Sequence, residues 1–283
     1  MDISPFRTVG PCVPRTPVVI AVGHAGRSYP RALVAAARVP VDRLIGLEDR
    51  HADLLAAAAV DEGATVIVAD MARAWIDLNR HPDELDGEMI DPPPPAVGLR
   101  DGPRIRAGLG LVPRRMAGVG DIWQGPIAAA DLAGRIAGVH EPYHRAVADA
   151  LDEAHAAHGV AVLIDLHSMP PLAGRDRGIT VVVGDLNGAS ADPAVTTGAI
   201  DAARAAGYRV ARNRPYAGGY GVDRHGRPRQ GVHAVQIELC RSLYLDATFR
   251  LPGPGLVRAQ QFVAALRRRL AHALPRHDQQ AAE

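Results

Sequence analysis

The sequence predicts an α/β fold, a three-layer α/β/α sandwich built on a mixed, mostly parallel sheet. Three observations predict it. Residues 17–22, 64–69, 160–165, 179–184 and 235–239 are short, β-branched apolar runs, as expected of parallel strands buried on both faces. Segments with helical character alternate with them, which is the order of βαβ units. Polar clusters stand at the ends of several runs, and in an open α/β sheet such ends converge on one edge, where ligands bind.

Along the chain, residues 17–22 form the first predicted strand, ended by Gly23, and the loop after it carries His24. Residues 49–62 read as a helix with acidic residues in its first turn, where the macrodipole favours them. Residues 64–69 are the next strand, and 75–78 a short one delivering Asn79 and Arg80. Residues 82–103 are a Pro-rich excursion, with Pro92 to Pro95 as a stiff loop. Residues 128–158 read as helix, interrupted near Gly138 and Pro142. Residues 160–165 are a strand aimed at His167, placed in the loop beyond it. Then come a strand at 179–184, a helix at 192–206, a strand at 208–211 and a Gly-rich loop or hairpin at 215–231 pivoting on Gly218 and Gly219. A strand at 235–239 and a closing helix at 256–274 complete the series. No repeat interrupts it, and the expectation is one domain over residues 1–283.

At 283 residues the chain is long enough to bury a full core. It is 47% apolar and 22% charged, and no apolar stretch approaches the roughly 18 residues of a membrane span. Residues 1–10 lack the apolar segment of a signal peptide, so the expectation is a soluble, cytoplasmic protein without membrane partners. Cys12 and Cys240 are the only cysteines, which argues against a disulfide framework or a Cys-rich zinc site. All 32 basic residues are Arg, a coding bias rather than a nucleic-acid footprint. The one run, Arg267-Arg268-Arg269, reads as a solvated helix face.

The chemistry sits in four clusters: His24; Arg73 with Asn79 and Arg80; His167; and Glu238. Two imidazoles, a carboxylate and a guanidinium pair are the parts of a zinc hydrolase acting on a small anionic substrate. Catalytic zinc takes three protein ligands and keeps one position open. With His24 and His167 chosen, Asp49 is the third, ahead of Glu48 and Asp53, although the same Asp49 fits a helix N-cap. Glu238, flanked by Ile237 and Leu239, is either a general base and proton donor or the structural partner of Arg241 or another Arg. Arg73, Asn79 and Arg80 offer donors to a carboxylate or a developing oxyanion, with Asp77 orienting one of them. His140, His144, His155 and His158 read as a solvated helix face. Ser168 lacks a G-x-S-x-G elbow, and Gly-rich nucleotide loops are absent.

At these residues the chain resembles the N-formylglutamate amidohydrolase family. The similar features are Gly23-His24-Ala25-Gly26 with Tyr29-Pro30, the segment from Glu48-Asp49 to Asp53, Arg73 with Asp77-Leu78-Asn79-Arg80, Asp165-Leu166-His167-Ser168, Gly184-Asp185, Asn213 with Pro215-Tyr216 and Gly218-Gly219-Tyr220, and Gln236, Glu238 and Arg241 followed by Leu243-Tyr244. They recur in order from about residue 17 to 246. The resemblance implies a phosphorylase/hydrolase-like fold, distantly similar to zinc carboxypeptidases and aspartoacylases. It implies one zinc per chain on His24, Asp49 and His167, with Glu238 as base and Asn79 and Arg80 on the glutamate α-carboxylate. Beside that pattern, Arg73 is the expected donor to the oxyanion, and Arg212, Asn213 or the loop of Gly218 and Gly219 the expected contact of the substrate side chain. The implied reaction releases formate and L-glutamate from N-formyl-L-glutamate, a step of histidine breakdown. The relatives place the acidic ligand three residues after the first His, where this chain has Arg27, and Gly23 stands where Pro is expected. The alternatives are a zinc deacylase or carboxypeptidase-like hydrolase of another N-acyl amino acid, or a non-catalytic carboxylate-binding protein.

Overall fold

The computed structural model describes residues 4–95 and 98–273. Residues 1–3 of the amino-terminal segment, residues 96 and 97 of the Pro-rich excursion, and Leu274, the expected end of the last helix, lie outside them. The chain divides into two compact units.

The larger unit comprises Thr8–Val22, Arg50–Val68 and Ala146–Glu283. Its framework is a seven-stranded sheet of β1 (Phe6–Val9), β2 (Val18–Val22), β3 (Thr65–Ala69), β4 (Ala161–Met169), β5 (Val181–Gly184), β6 (Val210–Arg212) and β7 (Val232–Cys240), in the order β1-β3-β2-β4-β7-β5-β6. β2 runs parallel to β3 and β4, β4 parallel to β7, and β5 antiparallel to β7 but parallel to β6. The predicted mixed, mostly parallel α/β sheet is therefore present. Every residue of β2, β3, β4 and β7 is buried, which is why β2, β3 and the first half of β4 read as apolar runs, while β4 beyond Ile164 and β7 carry buried polar residues as well.

Two strands are longer than predicted, and the difference matters for the site. The β4–β7 ladder runs from the Ala161–Val232 pair to the Met169–Cys240 pair, so His167 lies inside β4 and not in a loop beyond it. Its polar neighbours end the apolar signal before the backbone pairing ends. Register places Gln236 beside Asp165 and Glu238 beside His167. Residues two apart in a strand share a face, so these four polar side chains stand on one face of the sheet.

Helix Leu256–Leu270 packs on Pro193–Ala205 and on Ala57–Asp61. Of the Arg run at its end, Arg268 and Arg269 are exposed, as on a solvated face, and pair with Glu62 and Asp201, whereas Arg267 is buried and reaches the same Glu62 at 3.4 Å. The helix expected over 49–62 is two short ones, Ala52–Leu55 and Ala57–Asp61, beginning after His51 at φ 59°. Asp49 therefore precedes the helix and is not its N-cap. The loop expected over 215–231 contains helix Tyr220–His225. Gly221 lets it close on β4, since a Cβ there would sit 2.5 Å from Asp165 Oδ2. Gly218, at φ 128°, supplies the turn before it, a conformation open to Gly and strained for other residues.

The smaller unit comprises Met1–Arg7, Gly23–Asp49 and Ala69–Arg145. Its main helical element is Ala129–Arg135, which passes through a π-helical turn at Ile136–His140 into Glu141–His158. The interruption expected near Gly138 is thus a widened turn and not a break. Residues 75–78 form no strand. This segment is a turn pinned by the Asp77 amide on the Leu111 carbonyl (2.7 Å) and by side chains.

Candidate metal centre and substrate anchors

In the smaller unit, His24 follows β2 by two residues, and the Asp49 amide binds its carbonyl at 2.9 Å. The imidazole lies between two carboxylates: Nε2 is 2.6 Å from Asp77 Oδ1 and Nδ1 is 3.5 Å from Asp49 Oδ2. All three residues are buried. Glu48, the neighbouring candidate, accepts a hydrogen bond from the Tyr29 hydroxyl.

Asp77 organises this region. Besides His24 it accepts from the Asn79 amide at 2.9 Å and from Arg73 Nε and Nη2, each 2.9 Å from its Oδ2. Burial alone would raise its pKa, but the charges of Arg73, His24 and Arg80 hold the carboxyl well below the usual range. Sequence reasoning gave Asp77 only an orienting role among the arginines. Its bond to His24 is the larger finding, because a ligand imidazole is aimed by what its other nitrogen binds. Arg80 is buried, donating to the carbonyls of Leu109 (2.9 Å) and Asn79 (2.7 Å). Burial lowers its pKa from the ordinary guanidinium value, with Asp77 opposing.

His140 and His144 were expected on a solvated face and are instead buried, each 1% exposed. Their Nε2 atoms lie 3.0 Å and 2.8 Å from the carbonyls of Arg80 and Leu78. Helical spacing gave them a common face but not its surroundings; the 75–80 turn, which carries no periodic signal, covers that face.

In the larger unit, His167 Nε2 is 3.1 Å from Asp165 Oδ1, repeating the His24–Asp77 arrangement. Alternation along β4 makes this pair readable from sequence, since residues i and i+2 share a face. Glu238, 8% exposed, accepts from Gln236 Nε2 at 2.8 Å. Arg241 donates through Nε to Ser168 Oγ at 3.2 Å.

Arg212 and Asn213 are tied to Asp185, whose role sequence reasoning missed. Asp185 accepts from Arg212 Nη2 (2.6 Å), Asn213 Nδ2 (2.6 Å) and Thr196 Oγ1 (2.7 Å), while its own amide donates to Asn213 Oδ1 (2.9 Å). Burial pushes its pKa up, and these hydrogen bonds outweigh that and bring it below 3.8. Gly218 and Gly219 form the turn into helix Tyr220–His225.

His24, Asp49 and His167 each offer one ligand atom, and the three atoms lie within 4.8 Å of one another. This is the one group of that kind among the described residues. Two imidazoles and one carboxylate, all buried, suit a borderline-soft divalent metal and match the three-ligand pattern of catalytic zinc. No helix among the described residues is long and apolar enough to cross a membrane.

A family model for N-formylglutamate amidohydrolase matches residues 16–245. The N-formylglutamate deformylase of Pseudomonas aeruginosa is 32% identical over 240 residues, covering 82% of this chain and 83% of the relative. That of Pseudomonas putida is 30% identical over 241 residues, covering 83% and 84%. A crystal structure of N-formylglutamate amidohydrolase from Ralstonia eutropha JMP134 superposes with a TM-score of 0.87 at 30% identity, over 95% of this chain and 98% of that one. The chain belongs to the N-formylglutamate amidohydrolase family.

Proposed function

We propose that this protein hydrolyses the formamide of N-formyl-L-glutamate to formate and L-glutamate, with zinc held by His24, Asp49 and His167. The observation that carries this reading is the buried group of two imidazoles and one carboxylate with ligand atoms within 4.8 Å, in a chain whose relatives are named for this deformylation. When bound, the metal supplies Lewis-acid polarisation and lowers the pKa of water.

The remaining steps belong to the chain. Asp77 and Asp165 hold the Nε2 sides of the two imidazoles, so Nδ1 of each ring is the atom that would be left to hold a metal. Glu238 takes a proton from the attacking water as its oxygen bonds to the formyl carbon, then delivers that proton to the nitrogen as the C–N bond breaks. Gln236, donating to Glu238 Oε1, fixes which carboxylate oxygen is presented. Arg73, locked in place by Asp77, faces the oxyanion that develops on the formyl oxygen. Asn79 and Arg80 take the α-carboxylate. Arg212, Asn213 and the Gly218-Gly219 turn receive the side-chain end, with Asp185 fixing the first two. The setting that goes with this reaction is cytoplasmic, in histidine breakdown.

Formate release from N-formyl-L-glutamate, compared with formate release from N-formyl-L-aspartate and acetate release from N-acetyl-L-glutamate, tests the substrate assignment. Preference for N-formyl-L-glutamate is expected. Turnover of the others with none of N-formyl-L-glutamate would move the chain to another N-acyl amino acid.

A further inference from the structure

The segment that carries Asn79 and Arg80 has no strand or helix of its own, yet its main-chain carbonyls are met one after another by side-chain donors. Arg135 Nη1 donates to Trp75 O at 3.0 Å, His144 Nε2 to Leu78 O at 2.8 Å, Arg80 Nη1 to Asn79 O at 2.7 Å, and His140 Nε2 to Arg80 O at 3.0 Å. A carbonyl only accepts, so each imidazole carries its proton on Nε2. Three of the four donors come from one helical element.

Their alignment depends on the π-helical turn. In an uninterrupted α-helix, five residues advance about 140° beyond a full turn, which would carry Arg135 away from the face of His140. Across Ile136–His140 the bonding is π-helical, and i→i+5 bonding brings five residues back to roughly one turn. His144 follows His140 by four residues on the same face. The side chains are locked as well as aligned. The His140 and His144 rings lie 4.5 Å apart, and Tyr143 meets His144 edge-on at 5.3 Å. The Arg135 guanidinium lies 3.6 Å from the Trp75 ring centroid and 5.3 Å from that of Trp123.

We propose that Arg135, His140 and His144 are positioning residues for substrate recognition, a helix-borne template that fixes the backbone from which Asn79 and Arg80 grip the substrate carboxylate. This rests on the substrate reading above. It assigns the π turn a function, since a regular helix would present only part of the donor row. A misplacement of about 1 Å in such an anchor can cost on the order of 100-fold in rate. An interaction made equally in ground and transition states appears in KM, with kcat little changed.

The test is steady-state kinetics of the metal-loaded protein and its His144→Leu, His144→Gln and His140→Gln variants. N-formyl-L-glutamate is compared with N-formyl-4-aminobutyrate, which lacks the α-carboxylate, and metal content and thermal unfolding are recorded for each variant. For His144→Leu, KM for N-formyl-L-glutamate should rise about tenfold or more, with kcat within about threefold and the metal retained. The Gln variants, which keep an amide donor, should recover part of that loss. The penalty should shrink on N-formyl-4-aminobutyrate. Variants that fold and bind metal with KM unmoved, or that lose both substrates equally, would overturn the positioning role. If His144→Leu does not fold, the two Gln variants decide by the same split. Absence of N-formyl-L-glutamate turnover in the unmodified protein would overturn the substrate reading and this role together.

Discussion

His24 Nε2 lies 2.6 Å from Asp77 Oδ1, and the other nitrogen of the same ring faces Asp49 at 3.5 Å. The buried Asp77 carboxylate thereby sets both the tautomer and the direction of the imidazole, while Arg73 and Arg80 keep it ionised. Asp77→Asn, which preserves shape and removes the charge, should weaken metal binding by about 10- to 100-fold. Competition against a calibrated zinc chelator measures this; an unchanged affinity would leave Asp77 as a partner of the arginines alone.

Glu238→Gln keeps the size of the side chain and its place beside His167 in the β4–β7 ladder but removes the proton acceptor. Turnover should be abolished while metal content stays at the parent level. Full activity in this variant would remove Glu238 from the chemistry.

Arg73 is held by the Asp77 carboxylate through Nε and Nη2, and the proposed mechanism gives it the developing oxyanion. Arg73→Ala should lower kcat and kcat/KM together by about 100- to 1000-fold, as loss of a donor used in the transition state does. A rise in KM with kcat intact would instead place Arg73 among the ground-state anchors.

His225 gives a pH-dependent signature of folding. Burial and then the charge of Arg224 bring its pKa from 6.5 down to about 4, with Arg227 acting the same way and Asp165 and Asp152 opposing. In the folded chain the ring is neutral over that interval, while the unfolded chain takes up the proton, so this group's contribution to stability falls as pH drops from 6.5 to about 4. His225→Gln should flatten the dependence of Tm on pH across this window. Parallel parent and variant curves would contradict the assignment.

Much of the fold was legible because its central strands are buried on both faces and therefore spell continuous β-branched runs, as Val18–Val22 and Thr65–Ala69 do. His24, His167 and Glu238 could be singled out because polar residues interrupt or follow such runs, and Asp49 because it lies in the acidic segment that opens the helix expected after the His24 loop. Other features depend on partners distant in sequence. Residues 75–78 resemble a strand, yet their carbonyls are met by Arg135 and His144, so no ladder is needed. The extension of β4 to Met169 depends on β7, more than 60 residues later, and so the placement of His167 inside a strand was not readable locally. The burial of His140 and His144 follows from what covers their helix face, which periodicity does not specify. Asp185 lies near Arg212 and Asn213 only because β5 and β6 pair side by side.

The most direct measurement is the zinc content of the purified protein together with formate release from N-formyl-L-glutamate, before and after chelation and after zinc is restored. The predicted result is about one zinc per chain, with activity lost to the chelator and regained with the metal. Formate release that persists in metal-free protein would contradict the metal centre on His24, Asp49 and His167, and a protein that binds N-formyl-L-glutamate without consuming it, zinc bound or not, would contradict the hydrolase itself.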